Sequence, residues 1–455
     1  MPTTIAAVST GAAPGGIGIV RISGPEARSI ADRVFRSRSG RKIAGMKGYT
    51  AALGGAFSAE GERLDDVVAL VFAAPKSYTG EDIVELSCHG GLYITRRILE
   101  EVLAAGAVPA QPGEFSRRAF LNGKMDLTQA EAVMQLISAG GQQAARAAEA
   151  GSNGALSKKI VGLREALSDL AAHLAAWADF PEEDVPEITE GEAVQKLGEI
   201  EAQMETLLGT FDSGKIYREG VETVIAGRPN VGKSTLMNLL AGHERSIVTD
   251  IPGTTRDVVE ETVSVGGIPL RLSDTAGLRE TDDPVESIGV RAAEQRLRTA
   301  RLVLAVFDAS RPLEAGELEW VKEIDVRSAV AVINKCDLPV ALNKDEVHQI
   351  FPYTVEISAV SGCGISDLEI AVKTILGAKT FEPDEAVLFT QRQREDVRRA
   401  CKAVIEAREA LELGLTLDAA TVCVEEALSA LYALTGERVS EEIIDRVFEQ
   451  FCVGK

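Results

Sequence analysis

Aromatic residues, histidines, paired cysteines and positive charge are all scarce in this 455-residue chain. Phe, Tyr and Trp together make up 5%, too few for rows of base-stacking side chains along a nucleic-acid groove. Histidine occurs four times, and no two of the six cysteines (Cys88, Cys336, Cys363, Cys401, Cys423 and Cys452) form a C-x-x-C pair, which argues against a zinc site. Thiols this scattered fit a reducing compartment and predict a cytoplasmic protein. No apolar run is long enough to span a bilayer, so no membrane association is expected. The first twenty residues are uncharged but have no basic n-region. Thr3, Thr4, Gly11, Pro14, Gly15 and Gly16 interrupt them, so they read as a strand and a Gly-rich turn rather than an export signal. No internal repeat or low-complexity tract stands out. Lys and Arg number 48 against 69 Asp and Glu, a formal charge of −21. A chain that grips RNA unaided carries a basic face, so an RNA substrate would require a local patch or a partner to supply the positive field.

What is present is ordinary globular material: 45% hydrophobic and 26% charged residues. At roughly 100–200 residues per domain, the length predicts two to four domains. Residues 1–118 mix short strands (Ile17–Ile22, Val67–Phe72, Ile83–Ser87) with helical stretches at Glu26–Phe35 and near Tyr93–Ala105, which predicts a small α+β domain. From about 125 to 212 apolar residues recur at helical spacing, as in Leu163, Leu167, Leu170 and Leu174, until Phe180–Pro181 and Pro186 break the run. The same Ala/Leu/Glu/Arg texture returns at 385–450. The expectation is a discontinuous all-α domain (119–214 and 381–455) into which an α/β domain (215–380) is inserted, as exposed loops permit.

That inserted domain carries the chemistry. A buried strand, Val221–Ala226, runs into Gly227-Arg-Pro-Asn-Val-Gly232-Lys233-Ser234, and a helix follows from Thr235 to Leu240. This is G-x-x-x-x-G-K-S in its strand–loop–helix setting. Glycines let the backbone turn its N–H groups toward phosphate oxygens, and the helix start adds its positive end. Asn230, Val231, Gly232, Lys233, Ser234 and Thr235 are the candidate phosphate contacts. Lys233 reaches the outer phosphates, and the Ser234 hydroxyl is a magnesium ligand. A Gly-rich turn can produce this string by chance, so the companions matter. Asp274-Thr275-Ala276-Gly277 follows strand Leu270–Ser273, with a hairpin at Gly266–Gly267 before it. Gly277 can offer its N–H to a terminal phosphate, with Asp274 behind the metal. Asn334-Lys335-Cys336-Asp337 follows strand Ala329–Ile333. A carboxylate there can accept both N–H groups on one guanine edge, which adenine cannot match. Ser358–Ala359, after another strand, can place a backbone N–H on the guanine oxygen. Leu278 stands where small GTPases carry a water-orienting glutamine, so another residue must take that part. Arg256 and Arg279 are possible arginine fingers, although an exposed arginine is more often a solvated charge.

Over residues 216–380 these four motifs resemble the translation-factor-related GTPases. Three further segments narrow the resemblance: Thr249-Asp250-Ile251-Pro252-Gly253-Thr254-Thr255-Arg256-Asp257, Leu278–Gly289, and the ending Phe451-Cys452-Val453-Gly454-Lys455. With Arg21–Gly24, Tyr78–Asp82, His89–Gly91 and Pro112–Ser116, the chain resembles the MnmE (TrmE) family of tRNA-modifying GTPases along its whole length. The resemblance implies an N-terminal α+β folate-binding-like domain, an all-α helical domain and an inserted Ras-like P-loop GTPase domain. It implies that Asn230, Thr249, Ile251 and Thr254 hold potassium, doing the electrostatic work of an arginine finger. Thr255 would join Ser234 on magnesium, and Glu286 would position the attacking water. Read from the residues alone, Glu286 is a solvated charge in an acidic stretch. Arg21, Glu85, Lys124 and Lys455 would hold formyl-tetrahydrofolate or a related one-carbon donor, although alone Arg21 and Glu85 read as surface charges. Cys452, otherwise an inert thiol, becomes the candidate thiol of the modification chemistry, with Lys455 close in sequence. The family also implies a homodimer and a flavoprotein partner, MnmG, forming a heterotetramer that acts on the wobble uridine of tRNA. Arg392, Arg394, Arg398 and Arg399 make a local basic patch, diluted by Glu395 and Asp396. The rival expectations are a ribosome-assembly GTPase acting as a switch, and a structural dimer with a degenerate nucleotide site. The latter is opposed by intact Lys233, Ser234, Thr255 and Asp337.

Overall fold

A computed structural model describes residues 3–179, 189–243, 261–274, 297–298, 300–314 and 317–455. The chain divides into two compact units: residues 1–131 with 428–455, and residues 132–427.

The first unit is built on a seven-stranded sheet in the order β3-β4-β5-β6-β2-β1-β7. Its strands are β1 (Ile5–Val8), β2 (Ile17–Ser23), β3 (Phe35–Ser37), β4 (Thr50–Phe57), β5 (Arg63–Phe72), β6 (Ile83–His89) and β7 (Val108–Pro109). All neighbours run antiparallel except β1 and β7. Helices α1 (Ala27–Val34) and α2 (Leu92–Ala104) bury Ile30, Val34, Ile98 and Val102 against Val20, Ile22, Val84 and Leu86. The strands and helices expected from the sequence thus form, with ends shifted by a few residues. Helix α3 (Glu114–Leu121) follows and sets Phe115 beside Ile5 and Ala7.

The second unit holds the helical stretches and the α/β domain. After α4 (Leu127–Ile137) come α5 (Gln142–Ser152), α6 (Ala155–Asp179) and the 30-residue α7 (Glu190–Glu219). A Thr189/Glu192 capping box opens α7, satisfying backbone N–H groups that a helix start leaves unpaired. Phe180–Pro181 and Pro186, the expected breakers, lie outside the described residues. Strand β8 (Val221–Ala226) then enters a six-stranded sheet, in the order β13-β12-β11-β8-β10-β9. Helix α8 (Lys233–His243) follows β8, and β9 (Glu261–Val265) and β10 (Ile268–Asp274) form the expected hairpin at Gly266–Gly267. The rest of the sheet is parallel: β11 (Leu302–Asp308), β12 (Ala329–Asn334) and β13 (Thr354–Glu356). Every residue of β11 and β12 is buried, as the central strands of a parallel sheet covered on both faces should be. Each fully buried Val, Leu or Ile contributes about 1.5–3 kcal/mol, so these strands fix the loops at their ends.

After α9 (Lys344–His348) and α10 (Ile365–Leu376), the chain returns to helices: α11 (Gln391–Glu412), α12 (Leu417–Thr435) and α13 (Glu441–Phe448). A Thr390/Gln393 capping box starts α11. Arg408 on α11 pairs with Glu201 on α7 at 2.9 Å, and Arg394 lies over the Phe211 ring. Within the Arg392–Arg399 patch, Arg392 and Arg399 share the Asp396 carboxylate. Residues 428–455 fall in the first unit, and the last of them hydrogen-bond to Ser9, to Arg21 on β2 and to the start of α3.

Candidate functional site

The parallel strands of the α/β sheet end together. In register, Asp274 lies beside Ile225, Ala305 beside Ala226, and Asp308 beside Asn334. The loops after β8, β11 and β12 therefore open on the edge where β10 also ends, the edge where ligands of such sheets bind. After β8 the chain turns through Asn230, which adopts a positive φ of 66°, and Gly232 at 99°. Such backbone is costly for residues with a side chain and marks a loop shaped for something other than stability. A Cβ at Gly232 would stand 2.2 Å from the Asn334 amide nitrogen, so only glycine fits. Lys233 Nζ donates to the carbonyls of Gly227 (2.7 Å) and Arg228 (3.0 Å), folding its ammonium over the loop. Helix α8 begins here, with the Leu236 N–H donating to Gly232 at 2.9 Å. Asn230, Ser234 and Thr235 are exposed, and Val231 is buried.

Asn334 ties three loops together. Its Nδ2 donates to the Val231 carbonyl at 2.9 Å, and its Oδ1 accepts the Ala359 N–H at 2.9 Å. Asn334 is 2% exposed, so both atoms are committed inside the protein. Lys335, with φ at 65°, reaches back to the Asn230 carbonyl (2.8 Å) and to Asp308 (2.5 Å). Burial alone would raise the Asp308 carboxyl, but Lys335 and the Ser310 hydroxyl and amide hold it below the usual carboxylate range. Asp337 stands exposed just beyond. Ser358 is buried, its N–H donating to Cys363 and its Oγ accepting from Ser361. Asp308 was missed in the sequence, since only the register of β11 beside β12 reveals it.

Asp274 ends β10 at this edge. Thr249, Asp250, Ile251, Pro252, Gly253, Thr254, Thr255, Arg256, Thr275, Ala276, Gly277, Leu278, Arg279 and Glu286 lie outside the described residues.

A second cluster forms in the N-terminal unit. Arg21 on β2 and Glu85 on β6 are directly opposed in register, and Arg21 Nε meets Glu85 Oε1 at 2.8 Å. Arg21 also donates to the Gly454 carbonyl (3.2 Å) and lies 5.9 Å and 5.6 Å from the centroids of the Tyr78 and Phe115 rings. Tyr78 shares a hydrogen bond with Ser116 at 2.7 Å, and burial pushes its phenol up. The C-terminal tail packs against this cluster. Ser9 donates to the Gly454 carbonyl at 3.1 Å, and the Phe115 N–H, in the first turn of α3, donates to the Lys455 carbonyl at 3.1 Å. Gly454 has φ of 95°, and a Cβ there would stand 2.3 Å from the Val8 carbonyl. Burial and the Arg21 charge push the Lys455 ammonium below its usual value, partly offset by Cys452 and Glu85. Arg21, Glu85, Lys455 and the exposed Cys452 are therefore neighbours. Lys124, just after α3, reaches the loop carrying Tyr78, its Nζ donating to the Pro75 carbonyl at 3.2 Å. Two cations, a carboxylate and two rings suit a flat heteroaromatic with an anionic tail. Tyr78, Phe115 and Ser116 lie in the Tyr78–Asp82 and Pro112–Ser116 segments, whose sequence alone gives them no role.

Among the described residues no group of His, Cys, Asp or Glu could hold a metal by itself, and no helix is long and apolar enough to cross a membrane.

A family model described as the MnmE helical domain matches residues 127–452, and one described as the GTP-binding protein TrmE N-terminus matches residues 4–124. The chain is 46% identical over 455 residues to a tRNA modification GTPase MnmE of Symbiobacterium thermophilum, with 99% of each chain covered. It is 41% identical over 456 residues to the MnmE of Alkaliphilus oremlandii and 41% over 454 residues to that of Geobacter sulfurreducens, again with 99% of each chain covered.

Proposed function

The chain belongs to the MnmE family, and from that premise we propose that it is a GTP hydrolase that acts in tRNA modification, at C5 of the wobble uridine. The observation that carries this reading is Asn334, which welds the phosphate loop to the two loops that would frame guanine. With those loops fixed, Asp337 accepts the two N–H groups of one guanine edge while the Ala359 region meets its oxygen. The backbone from Asn230 to Gly232, the Lys233 ammonium and the start of α8 surround the phosphates. GTP and magnesium are the cofactors. Ser234, exposed in the first turn of α8, and Thr255 would be the magnesium ligands from the protein.

Potassium beside Asn230, Thr249, Ile251 and Thr254 would neutralise charge developing on the phosphates, and Glu286 would orient the attacking water in place of a glutamine. This arrangement would be completed when two nucleotide domains of a homodimer meet. The pocket of Arg21, Glu85, Lys124 and Lys455 would hold a formyl-tetrahydrofolate-like one-carbon donor, with Cys452 at its edge. A flavoprotein partner, MnmG, would complete a heterotetramer and supply the basic surface for tRNA that a net charge of −21 withholds. A ribosome-assembly switch has less in its favour, since it has no use for the pocket around Arg21.

Mass spectrometry of wobble uridines tests the reading. Cells lacking this chain should lose an aminomethyl-type C5 group, restored by the native chain and not by Cys452→Ser. An unchanged modification level in the deletion strain would refute it. GTP hydrolysis should rise sharply when potassium replaces sodium, and equal rates would remove the cation assignment.

A further inference from the structure

Two consecutive residues of the 334–337 loop hold two consecutive carbonyls of the phosphate loop. Asn334 Nδ2 binds the Val231 carbonyl, and Lys335 Nζ binds the Asn230 carbonyl at 2.8 Å. The first tie is a neutral amide buried in the protein. The second is charged, and its ammonium also meets Asp308 Oδ2 at 2.5 Å. Asp308 ends β11 in register with Asn334, the residue before Lys335. Its side chain is 6% exposed, against 29% for Lys335. The other carboxylate oxygen, Oδ1, accepts from the Ser310 N–H at 2.9 Å and from the Ser310 hydroxyl at 2.6 Å. Both Asp308 oxygens are thus occupied inside the protein. The carboxylate is placed to hold a cation of this chain, not to meet a ligand.

We propose that Asp308 is a positioning residue for the nucleotide: it fixes the Lys335 ammonium on the Asn230 carbonyl and so keeps the phosphate loop and the guanine loop in one arrangement. Two costly backbone conformations depend on that tie. Asn230 and Lys335 both have positive φ, 66° and 65°, which a residue with a side chain keeps only where its surroundings over-determine it. The Lys335 side chain restrains both, since it starts from one and ends on the other. A lysine stem is long and rich in rotamers, and its ammonium is strongly hydrated. Held by a neutral carbonyl alone, it would leave for water. The buried carboxylate makes the contact charge-assisted and keeps the stem stretched between the loops. Once that charge is removed, the N–H groups that follow Asn230 lose their fixed aim. Ordering them then falls as a cost on nucleotide binding.

This inference rests on the assignment of Asn230–Ser234 to phosphate and Asn334–Asp337 to guanine. Fluorescent GDP is titrated in magnesium against the native full chain, Asp308→Asn, Lys335→Met and the double variant, and each is also melted without nucleotide. Asp308→Asn and Lys335→Met should each raise Kd about tenfold, as loss of one charge-assisted bond does. The double variant should stay near about tenfold rather than reach about a hundredfold, because both changes cut the same link. An Asp308 that only stabilised the sheet would lower the melting temperature and add its own loss of affinity to that of Lys335→Met. Should Asp308→Asn not fold, Lys335→Met carries the decision, since unchanged GDP affinity there removes the link through which Asp308 acts. Native affinity in Asp308→Asn, or losses that multiply in the double variant, would overturn the proposal and leave the site assignment standing. A native chain that takes up no GDP would overturn the site assignment, and this proposal with it.

Discussion

In the nucleotide domain, loops hang from one edge of a parallel sheet and offer mainly backbone atoms, as in the turn through Asn230 and Gly232. In the N-terminal unit, the pocket lies where β2 and β6 pair antiparallel, and its atoms are side chains from segments far apart. Arg21 and the Gly454 carbonyl it binds are 433 positions apart. A backbone cradle tolerates most side-chain changes but depends on the Lys233 ammonium folded over it. A side-chain pocket spreads its function over many partners and depends on the docking of the tail. The two should therefore break in different ways.

The largest effect is expected from Lys233→Ala, which removes the cation folded over the phosphate loop. GTP hydrolysis should fall by about 10²–10³ in a steady-state phosphate-release assay, as for loss of one preorganised charge, while binding of the folate proposed for the Arg21 cluster stays intact. Arg21→Ala should do the reverse. It strips Glu85 of its partner and the pocket of its central cation, so folate affinity by calorimetry should drop by about tenfold or more, with GTP hydrolysis unchanged. If one substitution abolishes both activities, the two sites are not separate in the way described. Gly454→Ala is milder: strained backbone and a Cβ against Val8 O should loosen the tail, lowering stability by about 1–3 kcal/mol in urea unfolding. A smaller loss of folate affinity should accompany it, since Arg21 and Lys455 both engage the tail.

The smallest effect concerns His89, which pairs with Asp65 at 2.7 Å. That hydrogen bond raises its folded pKa above the ordinary histidine value. The contribution is thus fully present below about pH 6.5 and disappears as pH rises through the folded value. Because His89 is exposed, the effect is small. The native chain should melt slightly higher than His89→Gln at pH 5.5 and together with it at pH 9. A constant gap across that range would mean that packing, not charge, holds His89.

The same contrast governs how much the sequence discloses. The strands, the Gly266–Gly267 hairpin and the phosphate loop are local patterns, so they can be read directly from consecutive residues. Lys233, Asn334 and Asp337 appear in strings short enough to recognise. What those strings hide is the division of labour: Asn334 looks like a base contact, yet both amide atoms bind Val231 and Ala359. Asp308 emerges only once β11 lies beside β12, and the Arg21–Glu85 pair only once β2 lies beside β6. The placement of 428–455 in the N-terminal unit was also hidden, because helical periodicity reports which face is buried but not against what.

The central claim is that the edge formed by Asn230–Lys233, Asn334–Asp337 and Ser358–Ala359 binds a guanine nucleotide through Asp337. Calorimetric titration of the native chain and Asp337→Asn with GTP, ATP and xanthosine triphosphate, in magnesium and potassium, tests it most directly. The native chain should prefer GTP over ATP by at least about a hundredfold, since a site built to pair with N–H groups rejects a ligand lacking them. Asp337→Asn should exchange that preference for the xanthine nucleotide. Equal binding of ATP and GTP, or a GTP preference that survives in Asp337→Asn, would contradict the account.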